Sequence, residues 1–72
     1  MNKTTAQAMA DRPIIFKRYR VAGHPTRCRL IRQDTGEWTQ VFANPKAALG
    51  YLKLQFPHSE IISRNDIYLV KS

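Results

Sequence analysis

Two β-forming runs separated by a chain breaker constrain this sequence most. Ile14-Ile15-Phe16-Lys17-Arg18-Tyr19-Arg20-Val21 is β-branched and aromatic, and its second half alternates. Ala22-Gly23-His24-Pro25 supplies a turn, and Arg27-Cys28-Arg29-Leu30-Ile31-Arg32 follows as a second strand. A third strand through Trp38 and Phe42 makes residues 14–43 a meander. Successive strand residues point to opposite faces. Tyr19 and Val21 therefore share one face, and Phe16, Arg18 and Arg20 the other. In the second strand Cys28 and Leu30 share a face, opposite Arg27, Arg29 and Ile31. Closing the first hairpin with Val21 opposite Thr26 sets Arg20 against Arg27 and Arg18 against Arg29.

Asp34-Thr35-Gly36 is the strongest turn signal in the chain. A two-residue turn pairs Asp34 with Glu37, and a three-residue loop with Gly36 as a bulge pairs Gln33 with Glu37. The two differ by one residue of register, which flips every side chain of the third strand. The three-residue loop is the expectation. It puts Trp38 and Phe42 on the Cys28/Leu30 face, where large aromatics gain most from burial. The other register sets Trp38 and Phe42 among the arginines.

Asn44-Pro45 starts a helix, with a capping Asn before Pro at the first helical position. Ala48, Leu49, Leu52, Gln55 and Phe56 recur at helical spacing until Pro57 stops the run. Two short strands follow, near Glu60–Ser63 and Ile67–Val70, around a polar turn at Arg64-Asn65-Asp66. The expected fold class is α+β: a small antiparallel β-sheet in the order β-β-β-α-β-β, with one main helix packed on one face. Residues 1–12 are expected to be flexible or one short helix, and residues 13–72 a single α+β domain. The expected core is Tyr19, Val21, Cys28, Leu30, Trp38, Phe42, Leu49, Leu52 and Phe56.

Charge is distributed unevenly over this frame. The formal net charge is +7. Arg12, Lys17, Arg18, Arg20, Arg27, Arg29 and Arg32 lie within residues 12–32, where no Asp or Glu occurs. Outside that stretch Lys3, Lys46, Lys53, Arg64 and Lys71 balance Asp11, Asp34, Glu37, Glu60 and Asp66. The whole imbalance sits on one hairpin. Solubility needs no such clustering. Like charges facing each other in a ladder destabilise it, so four arginines on one face imply a polyanion that neutralises them.

Catalytic chemistry finds little support. Asp34 and Glu37 flank a turn, and His24 and His58 stand in loops. Cys28 is the one cysteine, which excludes an intrachain disulfide and fits a reducing, cytoplasmic compartment. On the core face it reads as a buried structural thiol. His24, Cys28 and His58 lack the paired spacing of a zinc site. No glycine loop cradles a phosphate, and no run of about 20 apolar residues could span a bilayer. The expectation is a non-enzyme with no catalytic residues, metal or cofactor.

A chain of 72 residues makes one domain with a thin core, so a partner or self-association as a homodimer would add stability. The expected function is that of a small basic nucleic-acid-binding accessory or regulatory protein, taking DNA or RNA. Arg18, Arg20, Arg27 and Arg29 form its expected surface, joined by Lys17 and Arg32, with Phe16 and Ile31 as apolar contacts on the same face. The N-terminal segment folding over Phe16 and Ile31 is the plainer reading of those two. The alternative function is a phage- or plasmid-type inhibitor or adaptor. It would dock the same basic face on an acidic or nucleic-acid-binding site of a larger protein.

Overall fold

A computed structural model describes residues 13–71. Residues 1–12, expected to be flexible or short-helical, lie outside the described residues. Five elements follow in order: β1 (Ile14–Arg20), β2 (Cys28–Arg32), α1 (Pro45–Gln55), β3 (Glu60–Arg64) and β4 (Ile67–Lys71). The strands form one antiparallel sheet in the spatial order β2-β1-β4-β3, with the helix beside it. Among the described residues, the α+β class and the one main helix are as expected. The order differs, because the third strand of the meander does not form. The backbone of residues 38–42 pairs with β2 at two isolated bridges, Ile31 with Trp38 and Cys28 with Phe42.

The C-terminal hairpin completes the sheet instead. β4 pairs Ile14 with Val70 and Phe16 with Tyr68 on one side, and Ile61 with Val70 on the other. Its run Ile67-Tyr68-Leu69-Val70 has apolar residues on both faces, so it sits inside the sheet. Asn65 takes the left-handed conformation at the β3–β4 turn (φ 52°), which short polar side chains tolerate.

Local chemistry fixes both ends of α1. Asn44 is extended and its Oδ1 accepts a hydrogen bond from Ala47 N at 2.8 Å, with Pro45 opening the first turn. Phe56 N donates to Leu52 O at 2.9 Å, and Pro57 cannot continue the helix. Ala48 and Leu52 point into the sheet.

The core joins Phe16, Cys28, Leu30, Phe42, Ala48, Leu52, Tyr68 and Val70. Phe16 meets Phe56 at 6.1 Å between ring centroids, and Phe42 meets Tyr51 at 5.1 Å. Cys28, Leu30, Phe42 and Leu52 are buried as expected, and Leu49 and Phe56 pack partly buried against them. Three residues depart: Tyr19 is 40% exposed, Trp38 47% exposed and Val21 half-buried. Phe16, expected outside, is 5% exposed.

One residue of register explains Phe16, Tyr19 and Val21 together. Val21 N donates to Arg27 O, so five residues rather than four separate the strands. Gly23 takes a positive φ of 81° in that loop, and His24 N closes it onto Val21 O. Thr26 is absorbed into the loop and the whole of β1 turns over relative to β2. Arg20 then faces Cys28, Tyr19 faces Arg29 and Arg18 faces Leu30. No arginine stands opposite another in this ladder, so the like-charge penalty is avoided.

Candidate nucleic-acid interface

The turn at Asp34–Gly36 adds a second shift. Arg32 N donates to Glu37 O and Gly36 N to Arg32 O, with Gly36 at φ 75°. This four-residue connection is neither of the two expected turns. From Cys28 to Ile31 is three residues, whereas from Phe42 back to Trp38 is four. The extra residue is a bulge, and it sends Trp38 and Phe42 to opposite faces. Thr39 completes it. Its Oγ1 accepts from Leu30 N at 3.0 Å while its own N donates to Leu30 O at 2.8 Å. The expected register is thus correct at Phe42 and off by one at Trp38.

The eight expected contact residues consequently separate. Arg18 and Arg20 lie on the helix side of β1, and Arg27 and Arg29 on the other side of the sheet, which α1 leaves open. Arg18 is half-buried; its Nη1 donates to the Tyr68 hydroxyl at 2.6 Å. Arg20 is exposed beside Pro25, Thr26 and Pro45. Arg32 is held by the Asp34 carboxylate through two contacts, 2.6 and 3.1 Å. The guanidinium hydrogen bond is the main reason that the Asp34 pKa lies below the ordinary carboxylate range. Phe16 is core and leaves the surface altogether. A single four-arginine face is therefore corrected to two pairs on opposite sides.

The open side gathers a different set. Arg29 places its guanidinium 4.3 Å from the Trp38 ring centroid. Tyr19 meets Trp38 edge to face at 5.4 Å, and Lys17 Nζ lies 5.2 Å from the Tyr19 ring. Across the strands, Arg64, Ile67, Lys17, Ile31 and Trp38 form one row. Ile15, Leu69 and Ile62 form the next. The face is therefore cationic and aromatic toward the first hairpin, and aliphatic toward the chain's C-terminal hairpin. Lys17 and Ile31 are expected contact residues that do lie here. Tyr19 and Trp38, expected in the core, stand here instead. Their signal was the alternation of Lys17 with Tyr19 and of Arg27 with Arg29, which needs only the correct register to bring rings and cations together.

Cys28 is buried, and desolvation pushes its thiol pKa up against the opposing pull of the Arg18 charge. It stays protonated at neutral pH, a poor state for a nucleophile. Among the described residues no three His, Cys, Asp or Glu gather to hold a metal ion, and no helix is long and apolar enough to cross a membrane. No family model, curated protein or solved structure matches the chain.

Proposed function

We propose that this is a small nucleic-acid-binding accessory or regulatory protein, acting by binding rather than catalysis. Its contact surface is the open side of the β1–β2 hairpin. The observation that carries the reading is electrostatic. All of the net charge of +7 falls within residues 12–32. Among the described residues only Arg32 of that stretch pairs with a carboxylate. Arg27 and Arg29 are exposed on the open side, with Lys17 half-buried beside them. Phosphates would neutralise this field, and the planar donor fork of Arg suits them. A cytoplasmic location accords with the single buried free thiol.

The test is binding of labelled oligonucleotides across a salt series. Affinity should fall steeply with salt, in proportion to the phosphates neutralised. Changing Arg27 and Arg29 together to Gln should weaken binding and flatten the salt slope. Changing Lys46 and Lys53 on α1 removes the same charge and should do less. Equal losses would mean that bulk charge alone matters and that the assigned surface is wrong. A second reading, docking on an acidic protein surface, draws on the aliphatic residues Ile15, Ile31, Ile62, Ile67 and Leu69 of the same face, beside the cations. Apolar centres with charged rims suit protein partners. A stoichiometric protein retained after nuclease treatment, with no oligonucleotide binding, would favour it.

A further inference from the structure

We infer that the open face binds single-stranded nucleic acid, with unpaired bases stacking on Trp38 and Tyr19 while Arg29 and Lys17 meet the phosphates. This deepens the nucleic-acid reading above and rests on it. Three observations carry it. First, Tyr19 and Trp38 are the exposed rings of the described sheet, at 40% and 47%, and they adjoin each other. Rings of that size left in water forgo burial that a ligand's π-faces could supply. Second, cations flank both rings, Lys17 beside Tyr19 and Arg29 over Trp38. Stacking surface next to positive charge is what a strand of bases on an anionic backbone requires. Third, Tyr19, Arg20, Val21, Arg29, Trp38 and Val41 line a depression beside these rings. Its lining is mostly apolar, with Arg20 and Arg29 as its cations.

The same geometry disfavours a duplex groove. The major groove is about 12 Å wide and admits a two-stranded ribbon. Here residues 38–42 bridge the outer edge of β2, so the hairpin is three segments wide where its rings lie. Three backbones at strand spacing already span roughly 10 Å before any side chain is added. The rings also face out from the sheet and not along its edge. They can meet bases only where those are unstacked from a partner strand.

Trp38 is the sole tryptophan, so its emission reports this site alone. The experiment titrates the full chain with a twelve-nucleotide oligo-dT, an oligo-U of equal length and a duplex of the same length. Both single strands should quench or shift Trp38 emission, and the duplex should bind more weakly without that change. DNA against RNA is read from the two single-strand arms. Trp38→Leu and Tyr19→Leu should each weaken single-strand binding by about tenfold or more, measured by anisotropy of the labelled strand. Lys53→Gln, on α1 across the sheet, should change it much less. If all three nucleic acids bind equally with unchanged emission, the stacking site is wrong and the basic surface still stands. If none binds at any salt, the nucleic-acid reading itself falls. If Trp38 in the free chain is already shielded from iodide, or becomes so with rising protein concentration, the face is covered by its own chain or a second copy. Either result overturns the inference.

Discussion

The Arg29 guanidinium lies 4.3 Å from the centre of the Trp38 ring, across the bridge that joins β2 to residues 38–42. Cation–π contacts at exposed sites contribute about 0.5–1 kcal/mol. Arg29→Gln should lower stability by about that much, without loss of fold. It should also change the quenching of Trp38. Arg29 and Lys17 concentrate iodide near the indole and repel caesium, so the variant should be quenched less by iodide and more by caesium. Unchanged selectivity would place the guanidinium away from the ring in solution.

Leu52 joins α1 to the sheet and is fully buried against it. Leu52→Ala should cost about 2–5 kcal/mol, the spread reflecting how far the site collapses. For a domain this small that is a large share of the total. Urea unfolding should show a lower midpoint with an unchanged slope. A loss below about 1 kcal/mol would mean that the helix does not pack through this residue.

The Arg32–Asp34 pair supplies a pH dependence with a definite sign. Its hydrogen bond, assisted by the guanidinium charge, holds the Asp34 carboxyl below the ordinary range. A carboxyl whose pKa is lower folded than unfolded stabilises the fold above its unfolded pKa. That contribution fades as pH falls through the depressed folded value. Both groups are solvent-accessible, so the effect on stability should be small and screened by salt. Titration of the Asp34 carboxyl by NMR should give a midpoint below that of aspartate in an unfolded peptide. A midpoint at or above it would mean that the pair is open in solution.

The sequence makes the helix plain because its signals are local. Asn44-Pro45 and Pro57 fix its ends, and Leu52 at helical spacing fixes its face. Cys28, Leu30 and Phe42 are equally legible as a shared core face. Which side of β1 meets them is not. Ile14 and Phe16 compete with Ile15, Tyr19 and Val21 on nearly equal apolar terms, and a single loop residue, Thr26, decides. The bulge at Thr39 depends on a side-chain hydroxyl replacing a ladder acceptor, which leaves no periodicity to read. The interior place of β4 is a long-range pairing, with Phe16 against Tyr68, that no local pattern encodes. The site follows the same division. Its residue types were visible in Lys17, Arg27, Arg29 and Ile31, but the company of Tyr19 and Trp38 required two one-residue shifts.

Thr39 is where those shifts can be tested. Its hydroxyl accepts from Leu30 N at 3.0 Å and donates to Gln40 O at 3.0 Å. Leu30 is fully buried, so water cannot readily replace the lost acceptor. Thr39→Val keeps the shape and removes the hydroxyl, which should cost about 1–3 kcal/mol for the orphaned amide. Thr39→Ser keeps the hydroxyl and should cost less. Hydrogen exchange at the Leu30 amide should quicken in the Val variant and not in the Ser variant. Loosening the bulge also frees Trp38 from its seat over Arg29. Iodide selectivity should therefore fall in Thr39→Val toward that of Arg29→Gln, although neither Arg29 nor Trp38 has been altered. If Leu30 exchange and Trp38 quenching are both unchanged in Thr39→Val, the hydroxyl does not hold the bulge. The opposite facing of Trp38 and Phe42 would then need another cause.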